Sequence, residues 1–106
     1  KIKNKIISHS FRIPTSVVSC AEIILNLKYV EKNLIKKLYD WVLKHKFLNL
    51  SYDICTSKDF EKITQSAILD TNWTIYKNNI LKLVVWYDNE WGYSRRVLDL
   101  AKKLVK

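Results

Sequence analysis

The chain has 106 residues, 48% of them hydrophobic, and a formal net charge of +9. That apolar content excludes a disordered segment, and the length fits one small domain or part of a larger one. No apolar run approaches the roughly 18 residues that a membrane-spanning helix needs, and the apolar run near the N-terminus is too short for a signal peptide.

The positive charge comes mostly from lysine. Only three of the 19 basic residues are arginines, namely Arg12, Arg95 and Arg96. Proteins that read phosphates and bases rely on the bidentate geometry of arginine, so a lysine-rich solvated surface is favoured and nucleic acid is not the expected partner. A small basic module that binds nucleic acid or an acidic partner remains the alternative, and it rests on the charge alone.

The cysteines and histidines show no metal-ligand pattern. Cys20 and Cys55 lie far apart, without a CxxC or related spacing. Two isolated cysteines are typical of a reducing compartment, and we expect a cytoplasmic protein that does not meet the membrane. His45 falls near the end of a predicted helix, with no carboxylate or nucleophile close in sequence, which favours a structural position over a catalytic one.

The first half of the chain predicts two strands and a helix. Residues 6–13 alternate between apolar and polar side chains, which predicts a strand with Arg12 on its polar face. A second strand is predicted over residues 17–28. From Glu31 the apolar period becomes helical, and this helix should end near Lys46.

The second half predicts short strands and a closing helix. Residues 47–65 predict only short strands or irregular connections. Further strands are predicted over residues 66–70, 73–76 and 80–86. Residues 77–79 form a hairpin turn, because Asn tolerates the left-handed region, and residues 97–105 form an amphipathic helix. Strands joined directly, with few helices, predict a mainly antiparallel α+β sheet with helices on one face.

The most distinctive stretch is Trp86-Tyr87-Asp88-Asn89-Glu90-Trp91-Gly92-Tyr93-Ser94. It holds two of the four Trp, two of the six Tyr and the only Gly of the chain. Its place between a strand and a helix predicts a tight polar loop, in which Gly92 supplies a positive φ or lets a ligand approach the backbone. From composition alone, a helix-capping loop with Trp side chains as core filler is favoured over a rigid binding site.

Two motifs together resemble one enzyme family. Phe11-Arg12-Ile13-Pro14-Thr15, followed by Val18-Ser19, resembles the F-R-V-P-T-x-x-V-S stretch of phosphorylating glyceraldehyde-3-phosphate dehydrogenases, and Trp86 to Ser94 resembles their W-Y-D-N-E-W-G-Y-S signature. Residues 57–60 and 66–70 fit the family's S-x-D-F and S-x-x-x-D elements in the same order. The resemblance covers nearly the whole chain, implies part of the C-terminal catalytic domain, and replaces the capping-loop interpretation with a functional site.

The resemblance leaves two branches open. Residues 66–70, with Thr74 and Val85, resemble D-erythrose-4-phosphate dehydrogenases, which oxidise D-erythrose 4-phosphate to 4-phosphoerythronate in vitamin B6 (pyridoxine) biosynthesis. The glycolytic glyceraldehyde-3-phosphate branch is better matched at Tyr87, Tyr93 and Ser94. On the sequence we favour the erythrose-4-phosphate branch.

The resemblance implies a role for three residues. Arg12 matches the arginine that holds the phosphate of the phosphorylated aldose substrate, and a guanidinium suits phosphate oxygens. Asn89 matches the asparagine whose amide binds the nicotinamide carboxamide of NAD, and Tyr93 matches the aromatic residue against the nicotinamide region. The intact family members form homotetramers.

The resemblance also implies that the chain is only the last portion of the catalytic domain. The S-C-T-T-N stretch that carries the family's nucleophile does not occur here, and neither Cys20 nor Cys55 matches that nucleophile. Neither His9 nor His45 matches the catalytic base. Because no G-x-G-x-x-G occurs, the dinucleotide-binding domain is expected to be absent. We therefore expect no catalytic residue and no activity in this chain alone, whether it is a fragment, a split gene product or a decayed remnant.

Overall fold

A computed structural model describes residues 7–29 and 31–105 of the chain. Within these residues, five strands form a single sheet accompanied by two α-helices. In chain order the elements are β1 (Val18–Asn26), α1 (Leu34–Lys44), β2 (Leu48–Ser51), β3 (Ala67–Asp70), β4 (Ile75–Lys77), β5 (Ile80–Asp88) and α2 (Trp91–Leu104). Two short 3-10 turns lie at Ser57–Phe60 and Thr71–Trp73.

Strand β5 is the centre of the sheet. It pairs antiparallel with β1, β3 and β4, whereas β2 runs parallel to β3. The order across the sheet is β1-β5-β3-β2, with β4 also on β5. The predicted α+β class with a mainly antiparallel sheet is therefore confirmed.

An apolar cluster packs on each face of the sheet. Ile68 and Leu69 are neighbours in β3, so their side chains point to opposite faces. On the Leu69 face, the buried residues join α1 to β2 and β3 through Val42, Leu50 and Leu69. On the Ile68 face, the buried residues are Val18, Phe60 and Ile68. The ring of Trp86 stacks on Phe60 there, with ring centroids 5.2 Å apart, and ties β5 to the 3-10 turn that follows β2.

The strand predicted over residues 6–13 is wrong for residues 7–13, and residue 6 lies outside the described part. Residues 7–13 form no helix or strand, and they are exposed. The chain turns at Pro14, and Thr15 N–H donates to the Ile13 carbonyl oxygen at 2.8 Å. Alternation specifies only which side chains would share a face, whereas a strand also needs a neighbour for its backbone groups. The sheet neighbour that β1 takes in the described chain is β5.

The other element predictions agree more closely with the structure. Helix α1 lies inside its predicted range, and the hairpin turn has φ values of 50° at Asn78 and 63° at Asn79. Residues 73–76 are not one strand, because Trp73 ends a 3-10 turn and β4 begins only at Ile75. The turn is held by the Asp70 side chain, which accepts from the N–H of Asn72 at 3.0 Å.

Candidate functional site

The distinctive stretch lies where β5 ends and α2 begins. Strand β5 continues to Asp88 and helix α2 begins at Trp91, so the connection is only Asn89 and Glu90. The prediction of a longer polar loop is wrong, since residues 91–94 form the first turn of the helix. The side chain of Asp88 explains this early start, because it accepts the first free N–H groups of the helix.

Asp88 holds the junction together. Its carboxylate is 2% exposed, and Oδ1 accepts the N–H groups of Glu90 and Trp91, each at 2.8 Å. Oδ2 accepts the N–H of Lys62, also at 2.8 Å. Burial raises the pKa of Asp88, but the three N–H donors outweigh burial and hold this pKa below its usual value. A charged carboxylate thus ties the start of α2 to the loop at Lys62.

Asn89 is held at two points. Its N–H donates to the Val17 carbonyl oxygen at 3.2 Å, which continues the β1–β5 ladder one step past the Val18–Asp88 pair. Its side-chain Nδ2 donates to Ser19 Oγ at 2.8 Å. The amide remains exposed, and within the described chain no hydrogen bond reaches its Oδ1. An acceptor is therefore available to a ligand.

Asn89 and Tyr93 line the same shallow depression, of about 270 Å³. Its other lining residues are Ser66, Tyr87, Asp88, Gly92 and Arg96. Tyr93 lies in the first turn of α2, four residues after Asn89, and is 71% exposed. The structure thus brings two of the three predicted site residues together, with an aromatic ring and an amide on one surface.

Gly92 is required by close packing rather than by a turn. It lies inside α2 and has no positive φ, so the prediction that it supplies a left-handed turn is wrong. A Cβ at this position would lie 2.9 Å from the Gln65 carbonyl oxygen. The backbone that approaches Gly92 is the chain's own, and this contact packs α2 against the segment that precedes β3.

Arg96 closes one side of the depression, and sequence analysis did not identify it. Its Nη1 donates to Ser66 Oγ at 3.0 Å, and its Nε donates to Asp99 Oδ2 at 3.1 Å. The Arg96–Asp99 spacing of three residues on a helix was a visible signal for the second bond. Ser66 and Ser19 were recognised only as motif positions, because only the three-dimensional contacts place them next to Arg96 and Asn89.

Arg12 does not line this depression. It is exposed in the irregular residues 7–13, and the polar strand face expected to carry it does not form. The structure therefore leaves the predicted phosphate-binding residue apart from the pair formed by Asn89 and Tyr93.

The surroundings of Cys20 disfavour its thiolate form. Cys20 and Cys55 are both free cysteines. Burial first, and then the charges of Asp70 and Glu22, raise the pKa of Cys20, which lowers its thiolate fraction. Cys55 Sγ lies 3.5 Å from the hydroxyl of Ser51.

The imidazoles pack against aromatic neighbours. His45 follows α1, where its Nδ1 lies 2.7 Å from the Trp41 carbonyl oxygen and its ring centroid lies 3.9 Å from that of Trp41. His9 contacts Phe11 edge-to-face, with centroids 5.1 Å apart. The position of His45 at the end of α1 agrees with its prediction.

A larger basic depression lies between the end of α1 and α2. It measures about 610 Å³, and its floor includes Phe47 and Leu100. The cationic side chains that line it are Lys46, Arg96, Lys102 and Lys103. The Arg96 guanidinium lies 4.1 Å from the centre of the Phe47 ring. Part of the lysine excess is therefore clustered rather than scattered.

Among residues 7–29 and 31–105, no three His, Cys, Asp or Glu side chains are grouped as a metal site. None of the helices in the described ranges has the length and apolarity needed to cross a membrane.

Comparison with known proteins identifies the family of the chain. Residues 1–89 match the family described as "Glyceraldehyde 3-phosphate dehydrogenase, C-terminal domain". The glyceraldehyde-3-phosphate dehydrogenase of Omphalotus olearius is 41% identical over 93% of the chain and 31% of its own length. That of Phaeosphaeria nodorum is 40% identical over 99% of the chain and 33% of its own length.

A bacterial relative shows a similar identity and coverage. Glyceraldehyde-3-phosphate dehydrogenase 2 of Nostoc sp. is 36% identical over 96% of the chain and 32% of its own length. The chain thus spans about a third of the length of the curated relatives it matches. Because the family match covers 89 residues and these relatives are 36–41% identical over nearly the whole chain, the chain belongs to the glyceraldehyde 3-phosphate dehydrogenase C-terminal domain family.

Proposed function

We propose that this chain contributes cofactor and substrate contacts to an NAD-dependent dehydrogenase that oxidises a phosphorylated sugar aldehyde. The observation that carries the proposal is the shared depression of Asn89 and Tyr93, which pairs an exposed amide with an exposed aromatic ring. The intact protein is proposed to be a cytoplasmic homotetramer, and the two free thiols fit a reducing compartment.

The residues of this depression fit one end of NAD. Asn89 Oδ1 can accept a hydrogen bond from the nicotinamide carboxamide, and Tyr93 offers an aromatic surface beside it. At about 270 Å³ the depression suits a single ring rather than a whole dinucleotide, so the pyrophosphate and adenosine need contacts outside it. When bound, NAD supplies the acceptor for the substrate's hydride. The part of this chain is to fix the orientation of the ring.

Arg12 is proposed to bind the substrate's phosphate. Support comes from the match of residues 11–19 to the family motif and from the bidentate fit of guanidinium to phosphate. Arg12→Gln should weaken binding of inorganic phosphate to the chain, whereas Arg12→Lys should retain part of it. Lys28→Gln removes the same charge elsewhere on the exposed surface, and an equal loss in that control would reject a specific role for Arg12.

Glyceraldehyde 3-phosphate is the proposed substrate. Tyr87 and Tyr93, which favour this branch, line the depression, and the relatives named above carry this substrate in their names. Erythrose 4-phosphate is the second candidate, favoured by the residues 66–70, Thr74 and Val85. Of these, only Ser66 lines the depression, while Val85 packs in the cluster under α1. The residues that favour erythrose 4-phosphate therefore lie mostly away from the proposed contact.

Titration of the 106-residue chain with nicotinamide mononucleotide tests the cofactor contact. We expect chemical-shift changes centred on Asn89 and Tyr93. Asn89→Ala should weaken binding about fivefold or more, as loss of one hydrogen bond predicts. Asn26→Ala, at an exposed asparagine on β1, is the matched control and should bind like wild type. Equal binding by Asn89→Ala and wild type would reject the proposed contact.

Turnover measurements test the expectation that this chain alone has no dehydrogenase activity. The purified chain with NAD and either sugar phosphate should form no NADH, because neither thiol matches the family's nucleophile and the pKa of Cys20 is raised. NADH formation that is lost on replacement of Cys20 or Cys55 would contradict this expectation.

A further inference from the structure

The basic depression between the end of α1 and α2 is not used by the proposed function. Four of its lining residues share one face of α2, because they have the helical spacing i, i+3, i+4 and i+7, namely Arg96, Asp99, Leu100 and Lys103. Phe47, between α1 and β2, faces them, and the Arg96 guanidinium lies 4.1 Å from the centre of its ring. Two separate segments of the chain therefore build this surface.

The one carboxylate of the depression is already neutralised. Among the described residues that line it, four are cationic and only Asp99 is acidic. Arg95 and Arg96 both pair with Asp99, at 3.4 and 2.8 Å. Burial raises the pKa of Asp99, but the hydrogen bond and charge of Arg96, together with the charge of Arg95, hold this pKa below its usual value. The remaining cations of the depression thus face no acidic side chain of their own.

Three lysines supply this excess of positive charge. Lys46, Lys102 and Lys103 are exposed, and within residues 7–29 and 31–105 none of them forms an ion pair. Lys102 and Lys103 lie in the last turn of α2, where the helix dipole favours cations. That dipole does not account for Lys46, which follows α1 and lies 5.5 Å from the centre of the Phe47 ring. The lysines converge on the depression from both sides.

The surface between these charges is apolar. Leu100 is 59% exposed and Val105 is 89% exposed, while Phe47 is half-buried. A volume of about 610 Å³ is enough for one or two side chains of a ligand. A small inorganic anion would leave this apolar surface in water, so the ligand that fits best carries both negative charges and apolar groups.

We propose that the basic depression binds an acidic, partly apolar peptide segment of another protein, with its carboxylates on the three lysines and an aliphatic side chain on Leu100. A second copy of the chain, with a formal net charge of +9, would bring mostly like charge, so charge complementarity favours an acidic partner. Single-stranded nucleic acid needs aromatic faces for its bases, and the Arg96 guanidinium already covers one face of Phe47. The site is separate from Asn89 and Tyr93, which do not line it.

Fluorescence anisotropy with a dye-labelled, end-blocked peptide of three Glu-Leu-Glu-Ser repeats tests the role of the lysines. The double variant Lys102→Gln/Lys103→Gln should bind this peptide about threefold or more weakly, as loss of two exposed charge pairs predicts. Lys28→Gln/Lys77→Gln is the matched control, because it removes two exposed charges outside the depression and should bind like wild type. Equal losses in the two double variants, or no binding by wild type at low salt, overturn the proposal.

The apolar contact is tested with Leu100→Ala and a comparison peptide in which Ser replaces Leu. Leu100→Ala should weaken binding of the Leu-containing peptide about threefold or more and leave binding of the comparison peptide unchanged. Leu98→Ala is the matched control, since Leu98 is 57% exposed on the same helix but does not line the depression. Equal binding of the two peptides by wild type overturns the apolar contact.

A seven-nucleotide oligothymidylate, whose six phosphodiester groups match the six carboxylates of the peptide, tests the other class of ligand. It should bind wild type more weakly than the Leu-containing peptide does, and equal or tighter binding overturns the choice of an acidic peptide. Nicotinamide mononucleotide should bind Lys102→Gln/Lys103→Gln like wild type, because neither lysine lines the depression of Asn89 and Tyr93. Failure of the peptide to bind therefore leaves the proposed cofactor contact standing.

Discussion

At the scale of single residues, the β5–α2 junction is held together because the Asp88 carboxylate is charged and both of its oxygens accept hydrogen bonds. One carboxylate accepts three backbone N–H groups from two separate segments, which combines a helix-capping role with a loop clamp. Asn89 is then the first residue free to face outward. The polar residues of this stretch therefore have two roles, since Asp88 is a buried structural group and Asn89 is an exposed group available for binding. Composition alone does not distinguish these roles.

Asp88 makes stability depend on pH at the acid end. Its pKa is lower in the folded chain than the reference of about 3.9, so its stabilisation is full above that value and is lost as pH falls through the folded pKa. Asp88→Asn should lower the free energy of unfolding by about 1–3 kcal/mol at pH 7. The difference from wild type should shrink below about pH 4.

Chemical denaturation at several pH values measures this difference. Asp53→Asn, at an exposed carboxylate, is the control and should change stability little at any pH. A difference between Asp88→Asn and wild type that stays constant from pH 7 to pH 3 would contradict the charged role of Asp88.

At the scale of elements, the sequence pattern predicted those strands and helices whose formation depends on local side-chain chemistry. Strands β1 and β5 and helix α1 were recognisable, since their apolar periods reflect the faces they bury. The strand over residues 7–13 was not formed, because its partner could not be read from alternation. The start of α2 was placed too late, because Trp91 and Tyr93 fit a loop by composition, while the Asp88 cap that extends the helix is a side-chain contact.

The candidate site likewise contains residues that the sequence motif predicted and residues that only long-range contacts reveal. The motif at the β5–α2 junction identified Asn89 and Tyr93, which the structure brings together. The contact of Ser19 with Asn89 depends on the strand register, and that of Ser66 with Arg96 depends on the packing of α2. The partners are 70 and 30 residues apart in sequence, so neither contact could be found from local pattern. Sequence patterns therefore locate the site, and long-range pairing completes it.

Substitution of Gly92 tests the close packing at the start of α2. Ala is the better helix former by about 1 kcal/mol, yet a Cβ here would lie 2.9 Å from the Gln65 carbonyl oxygen. We expect Gly92→Ala to destabilise the chain by about 1–3 kcal/mol, since backbone cannot yield as a side chain can. Ser94→Ala, in the same helical turn but exposed, should be neutral or slightly stabilising in the same denaturation experiment. Stabilisation by Gly92→Ala would show that the packing of α2 on Gln65 is loose.

At the scale of the whole molecule, the chain exposes more surface than a compact monomer of its mass. Its accessible area is 9063 Å², whereas a compact 12.6 kDa monomer exposes about 6,200 Å². Several large apolar side chains are exposed on α2, including Val97, Leu98, Leu100 and Leu104. A helix that presents such a stripe is normally covered by another surface.

Self-association follows from this exposed stripe. The isolated chain should form oligomers at micromolar concentration, and replacing Leu98 and Leu104 by Lys should reduce them, since neither residue is buried in the described structure. Light scattering of both forms measures the effect. Replacing the exposed Ser10 and Asn26 by Lys adds the same two positive charges elsewhere and is the control for altered charge. A wild-type chain that stays monomeric at high concentration would contradict the prediction.

The proposed function depends on which ligand binds the depression lined by Asn89 and Tyr93. Intermolecular nuclear Overhauser effects between the chain and nicotinamide mononucleotide test this most directly. We expect contacts from the nicotinamide ring protons to the ring of Tyr93 and the side chain of Asn89. Contacts to Phe47 and Leu100 in the basic depression instead, with none to Tyr93 or Asn89, would contradict it.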